Sequence, residues 1–130
     1  MTTKLILEQT EDMPGVIFDP ENDRFEIFGK SLPENATEFY GKLIDYLEMY
    51  ALEPNKKTKL VLNFKYYNSS TIRKILNILS ILEEMHLDGD EVSAVWMYEE
   101  TDELTKENGE DFKDNLNIPF EIKSFKLDYK

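Results

Sequence analysis

Lys59-Leu60-Val61-Leu62-Asn63-Phe64-Lys65-Tyr66-Tyr67-Asn68-Ser69-Ser70-Thr71-Ile72-Arg73-Lys74-Ile75-Leu76 is the stretch in which the period of the apolar residues changes. Residues 59–64 form an alternating apolar run, the mark of a strand. Beyond them the apolar positions fall at Ile72, Ile75, Leu76, Leu79, Leu82 and His86, which is helical spacing. Lys65 to Thr71 therefore occupy a place where a strand turns into a helix, the unit from which α/β domains are built. Asn68, Ser69 and Ser70 are each suited to cap that helix. Acidic side chains are favoured in a first helical turn, opposite the positive end of the backbone dipole. This turn carries Arg73 and Lys74 instead, an arrangement that suits an anion.

The charge of this region opposes that of the chain. The 130 residues have a formal net charge of -12, yet Pro54 to Leu82 contain no Asp or Glu. Lys56, Lys57, Lys59, Lys65, Arg73 and Lys74 give that segment +6 and leave -18 to the rest. Nucleic acid and anionic membrane surfaces are poor partners for such a chain, because phosphate binding needs a basic face. With 41% hydrophobic and 12% aromatic residues, residues 1–130 are expected to fold as one domain. The absence of cysteine removes disulfides and thiolate chemistry and fits a reducing compartment, so the cytoplasm is expected. Leu5-Ile6-Leu7 is too short for a signal peptide, and no stretch approaches the roughly 20 apolar residues that span a bilayer.

Working outward, Leu5-Ile6-Leu7 and Val16-Ile17-Phe18 read as strands, and Asp19-Pro20-Glu21-Asn22-Asp23 as the turn of a hairpin continued by Phe25 and Ile27. Gly29 and Pro33 close this β portion. A first helix starts near Asn35, where Asn35 with Glu38 satisfies a capping box and Ser31 with Glu34 competes just upstream. Ala36, Phe39, Tyr40, Leu43, Ile44, Leu47 and Tyr50 form its inward stripe. Past the long helix, Leu87-Asp88-Gly89-Asp90 makes a turn, and His86, the only histidine, reads as structural. Val92 to Tyr98 form a strand apolar on both faces, expected in the sheet interior. Leu104, Phe112 and Leu116 mark a weak helix, interrupted or closely packed at Gly109. Phe120-Glu121-Ile122 is a last strand, with a phase change near Ser124 that suggests a bulge.

The order is thus β-β-β-α-β-α-β-α-β, an α/β domain with a mixed, mostly parallel sheet and three main helices. In such sheets functional loops lie at the carboxyl ends of strands. The Ser69 turn and the Glu99-Glu100 turn both follow strands, so basic and acidic patches are expected to share one edge. Established catalytic signatures are missing: no glycine-rich phosphate loop, no Gly-x-Ser-x-Gly elbow, no Cys-His arrangement. One histidine makes neither a multi-histidine metal site nor a base for Ser69. Glu99, Glu100 and Asp102 at a strand end could bind a divalent metal, but in so acidic a chain they read first as a solvated helix start. Neither a metal nor a cofactor is expected.

Pro14-Gly15-Val16-Ile17-Phe18-Asp19-Pro20, then Phe25-Glu26-Ile27-x-Gly29-x-Ser31-x-Pro33-Glu34-Asn35-Ala36 with Phe39-Tyr40, resembles the amino-terminal half of the SiaC-family regulatory phosphoproteins. Tyr67-Asn68-Ser69-Ser70, Trp96-Met97-Tyr98-Glu99-Glu100 and Gly109-Glu110-Asp111-Phe112 continue the likeness in order over nearly the whole chain. The resemblance implies a fold similar to the STAS domains of anti-sigma-factor antagonists. It also implies a small bacterial cytoplasmic adaptor without enzymatic activity. Such adaptors are switched by a serine/threonine protein kinase and a PP2C-type phosphatase. The unphosphorylated form binds and activates a diguanylate cyclase, raising cyclic di-GMP and favouring biofilm. The family's phosphoacceptor follows the Asn of a Phe/Tyr-Asn-Thr-Ser motif, which places it at Ser69, with Ser70 and Thr71 as alternatives.

The resemblance and the charge pattern meet at this point. A phosphate on Ser69 adds roughly -1.5 to -2 charge. It would face free helix amides, with Arg73, Lys74 and Lys65 to neutralise it. Tyr67, Asn68, Glu99 and Glu100 are the candidate partner contacts. Competing readings are an anti-sigma-factor-antagonist-type stress regulator, a constitutive scaffold in which Ser69 only caps a helix, and a metal-dependent enzyme built on Glu99, Glu100 and Asp102.

Overall fold

The computed structural model describes residues 3–127. The elements are β1 (Leu5–Leu7), β2 (Gly15–Asp19), β3 (Arg24–Ser31), α1 (Ala36–Tyr50), β4 (Lys57–Tyr67), α2 (Ser69–Leu87), β5 (Glu91–Glu99), α3 (Glu103–Asn115) and β6 (Phe120–Phe125), in the expected order. A 3-10 turn over Pro20–Asn22 closes the β2–β3 hairpin, with Asp23 in the left-handed region at φ 53. The strands lie side by side in chain order. β1, β2 and β3 pair antiparallel, and β3 to β6 pair parallel. Each right-handed crossover steps one strand in the same direction, so all three helices return over the same face.

Register explains which residues fill the core. Val16, Ile27, Leu62 and Trp96 align across the sheet, as do Phe18, Phe25, Leu60, Ala94 and Phe120, and all are buried. α1 lowers Tyr40, Leu43, Leu47 and Tyr50 onto this face, α2 lowers Ile75, Ile78, Leu79, Leu82 and Met85, and α3 adds Phe112. On the opposite face, Ile17, Glu26, Val61, Val95 and Glu121 form a row with no helix above it among the described residues. β5 is interior, flanked by β4 and β6, and Val95 on its uncovered side is still only 5% exposed.

Several expectations change. β4 runs on to Tyr67, so the supposed seven-residue turn shrinks to Asn68. No bulge occurs near Ser124: β6 stays in register with β5 to Phe125, and its apolar residues simply change face. The irregularity lies instead between Gly29 and Lys30, opposite Phe64 and Tyr66, where Lys65 is the extra residue. Leu76 and His86 are exposed while Ile78 and Met85 are buried, because α2 packs through the stripe Thr71, Ile75, Ile78, Leu79, Leu82 and Met85. Leu104 is 65% exposed, and Thr105 takes the inward position. Helix α3 passes unbroken through Gly109, where any Cβ would collide with the Trp96 indole.

Candidate functional site

Asn68 caps α2 while still extended, at φ -102 and ψ 173. Its side-chain oxygen accepts from Thr71 N at 3.1 Å, from Thr71 Oγ1 at 3.0 Å and from Ser70 Oγ at 2.7 Å. Helix geometry then separates three neighbouring hydroxyls, since successive side chains point about 100° apart. Thr71 faces inward and is fully buried, Ser70 is half-buried, and Ser69 is exposed. Ser69 Oγ makes no hydrogen bond among the described residues, in contrast to its two neighbours.

Beneath the turn lies a buried hydroxyl chain. Tyr40 Oη is 2.5 Å from Ser31 Oγ, which is 2.7 Å from Thr71 Oγ1, and all three residues are at 0% exposure. Thr71 Oγ1 also lies 3.0 Å from the Ser31 carbonyl, which accepts in addition from Asn68 N at 3.2 Å. The chain therefore bolts α2 to β3 and α1. It also explains the rival capping box: Ser31 belongs to this network, and Asn35 caps α1 by accepting from Glu38 N.

Burial pushes the Tyr40 phenol up to about 12, the Ser31 and Thr71 hydroxyls lowering it only in part. A folded value above the unfolded one near 10 means stability is whole below pH 10 and lost as pH rises through 12. Two pH units correspond to about 2–3 kcal/mol. Urea midpoints measured between pH 8 and 12 are expected to fall above pH 10. Tyr40→Phe should remove part of that fall, and an unchanged profile in the variant would refute the assignment.

The cations are placed as follows. α2 starts at Ser69, so Arg73 and Lys74, expected in its first turn, lie in its second. Arg73 is exposed, four residues from Ser69 and so on the same helix face. Lys74 is half-buried. Lys65 is exposed at the bulge, and Lys30 stands over the Tyr66 ring at 5.8 Å from its centroid.

On the acidic side, Glu99 accepts from Thr101 N at 2.9 Å and from Thr101 Oγ1, while Glu100 is exposed. Asp102 caps α3, accepting from Thr105 N at 3.0 Å and Thr105 Oγ1 at 2.8 Å. Lys30, Lys65, Tyr66, Glu99 and Asp102 line one depression of about 370 Å³, so the basic and acidic turns do share the carboxyl edge. Asp102 is committed to its cap. Among the described residues no group of three His, Cys, Asp or Glu is placed to hold a metal, and no helix is long and apolar enough to cross a membrane.

Tyr67 supplies a link that periodicity did not suggest. Its hydroxyl lies 2.8 Å from Thr105 Oγ1 and accepts from Asn108 Nδ2 at 2.7 Å. Trp96 Nε1 donates to the Thr105 carbonyl at 2.7 Å. Tyr67 and Asn68 thus hold the Ser69 turn against α3 and β3, and both are half-buried. Ser69, Arg73, Lys65, Tyr66 and Glu100 are among the residues exposed to solvent at this edge.

Residues 7–125 match the family profile described as SiaC family regulatory phosphoprotein. An uncharacterized protein of Pseudomonas aeruginosa strain UCBPP-PA14 is 33% identical over 115 residues, covering 88% of this chain and 91% of its own length. The solved structure of SiaC of Pseudomonas aeruginosa is similar with a TM-score of 0.86 and 31% identity, over 94% of this chain and 98% of that one. A chain in the crystal structure of diguanylate cyclase SiaD in complex with its activator SiaC, from the same organism, gives a TM-score of 0.87 at 32% identity. The coverage there is 93% of this chain and 99% of that one.

Proposed function

The chain belongs to the SiaC family of regulatory phosphoproteins, and on that premise we propose that it is a non-enzymatic adaptor switched by phosphorylation of Ser69. Its unmodified form binds and activates a diguanylate cyclase, as SiaC is the activator of SiaD. A serine/threonine kinase adds the phosphate and a PP2C-type phosphatase removes it, in the cytoplasm. The observation that carries this reading is the sorting of hydroxyls at one turn: Ser69 is exposed and unengaged, Ser70 donates to the cap, and Thr71 is buried.

In the forward step Ser69 Oγ attacks the γ-phosphorus of ATP, ADP leaves, and the hydroxyl proton passes to a kinase base. The product carries roughly -1.5 to -2 charge at the start of α2. Free amides and the dipole there favour it by about 0.3–1 kcal/mol, and Arg73, with Lys65 and Lys74 nearby, offsets the charge. The fold is kept because the hydroxyl chain below Ser69 is untouched. The surface changes: a partner fitted to a hydroxyl must now desolvate a dianion at the start of α2, on the carboxyl edge that also carries Glu99. A loss of ~1.4 kcal/mol is already tenfold in affinity. Tyr67 and Asn68 act by holding that surface in place.

Incubation with ATP and extract of the source cells, followed by mass spectrometry, should place the phosphate on Ser69. Ser69→Ala should keep stimulating the cognate cyclase in a cyclic di-GMP assay, and Ser69→Glu should stimulate at least about tenfold less. Label confined to other residues, or equal stimulation by both variants, would sink the proposal.

A further inference from the structure

Along one flank of α1, Lys42, Asp45, Tyr46 and Met49 recur at helical spacing, and Leu52 and Glu53 continue the line in the turn beyond. With Thr3 and Leu5 at the sheet's edge they bound an open groove of about 790 Å³. Leu52 is 80% exposed and Met49 64%, beside the half-buried Tyr46. Such a cluster of large apolar side chains in solvent marks a contact surface. Among the described residues β1 bonds only to β2, so the edge beside the groove offers backbone groups for a further strand.

The polar groups of the groove indicate what fits it. Lys42 and Glu53 stand at equal sequence distances on either side of one midpoint, and Tyr46 and Met49 are symmetric about the same midpoint. A twofold axis there lays α1 antiparallel to its copy, with Lys42 against Glu53 of the second copy and Tyr46 against Met49 of the second copy. The same kind of rotation pairs β1 with β1 antiparallel about Ile6. Lys42 with Glu53 and Tyr46 with Met49 are thus self-matching pairs, as an isologous contact requires, while Asp45 has no basic counterpart across the axis.

We infer that the chain forms a twofold homodimer along the edge made by β1 and α1, joining two sheets end to end. The carboxyl edge with Ser69 is left outside this contact, so the inference stands apart from the phosphorylation reading.

Sedimentation equilibrium of the full chain should show the mass rising from one chain to two between about 1 µM and 1 mM. Lys42→Glu and Glu53→Lys each act twice in a twofold contact and should weaken the dimer roughly tenfold, whereas the double exchange should restore it. Met49→Asp with Leu52→Asp should leave only single chains, with an unchanged circular dichroism spectrum. A wild-type chain that stays single at about 1 mM overturns the inference, as it would if the groove served a different protein. A dimer indifferent to these substitutions, or not restored by the double exchange, overturns it equally.

Discussion

Trp96→Ala is expected to lower the free energy of unfolding by about 3–5 kcal/mol, the range for truncating a buried aromatic. Trp96 is 1% exposed and meets the rings of Phe64, Tyr67 and Phe112 at centroid distances of 6.1, 6.1 and 5.2 Å. Gly109 presses on its indole edge, and its Nε1 satisfies the Thr105 carbonyl. The substitution therefore opens a cavity and removes a donor from a buried acceptor, two costs that add. Because α3 reaches β5 through this ring, its first turn should loosen before the rest of the domain. Urea unfolding followed by circular dichroism measures the total, and hydrogen exchange across residues 103–115 locates it. A loss below about 1 kcal/mol would show that the indole is not the keystone described.

The second large effect is expected at Thr71→Val, which keeps the shape and deletes the hydroxyl. The hydrogens of the buried chain can run in one direction, from Tyr40 to Ser31 to Thr71, and on to the Ser31 carbonyl or Asn68 Oδ1. Valine breaks the last link and leaves Ser31 Oγ–H without an acceptor in a buried site, a cost of about 1–3 kcal/mol. Ser69→Val, two residues away, removes an exposed and unengaged hydroxyl and should stay within about 0.5 kcal/mol of wild type. Paired chemical denaturation curves test the contrast. Equal stabilities for the two variants would mean that the buried network contributes nothing.

That contrast shows how much the sequence could say about the site. The change of apolar period after Phe64 placed the strand, the turn and the helix, and the lack of acids near Ser69 drew attention to it. Which of three adjacent hydroxyls faces outward depends on helix phase, and phase follows from the stripe that packs on the sheet: with Ile75, Ile78, Leu79, Leu82 and Met85 inward, Thr71 is inward too. The same phase leaves Leu76 and His86 outside the core. Lys65 stood in plain view as a residue, but its role as the extra residue of a bulge depends on β3, far away in the chain. Tyr67 is legible as a candidate contact, while its bonds to Thr105 and Asn108 require α3 to be docked. Local pattern was legible, and long-range register was not.

Strands laid down in chain order have a consequence for how the molecule comes into being. Every strand finds its neighbour in the segment synthesised just before it, so no late-arriving piece must thread between two already in place. Loop closures stay short, and the search for partners is kept brief. The amino-terminal hairpin can serve as a growing template on the ribosome, each helix and strand unit docking onto the edge left by the last.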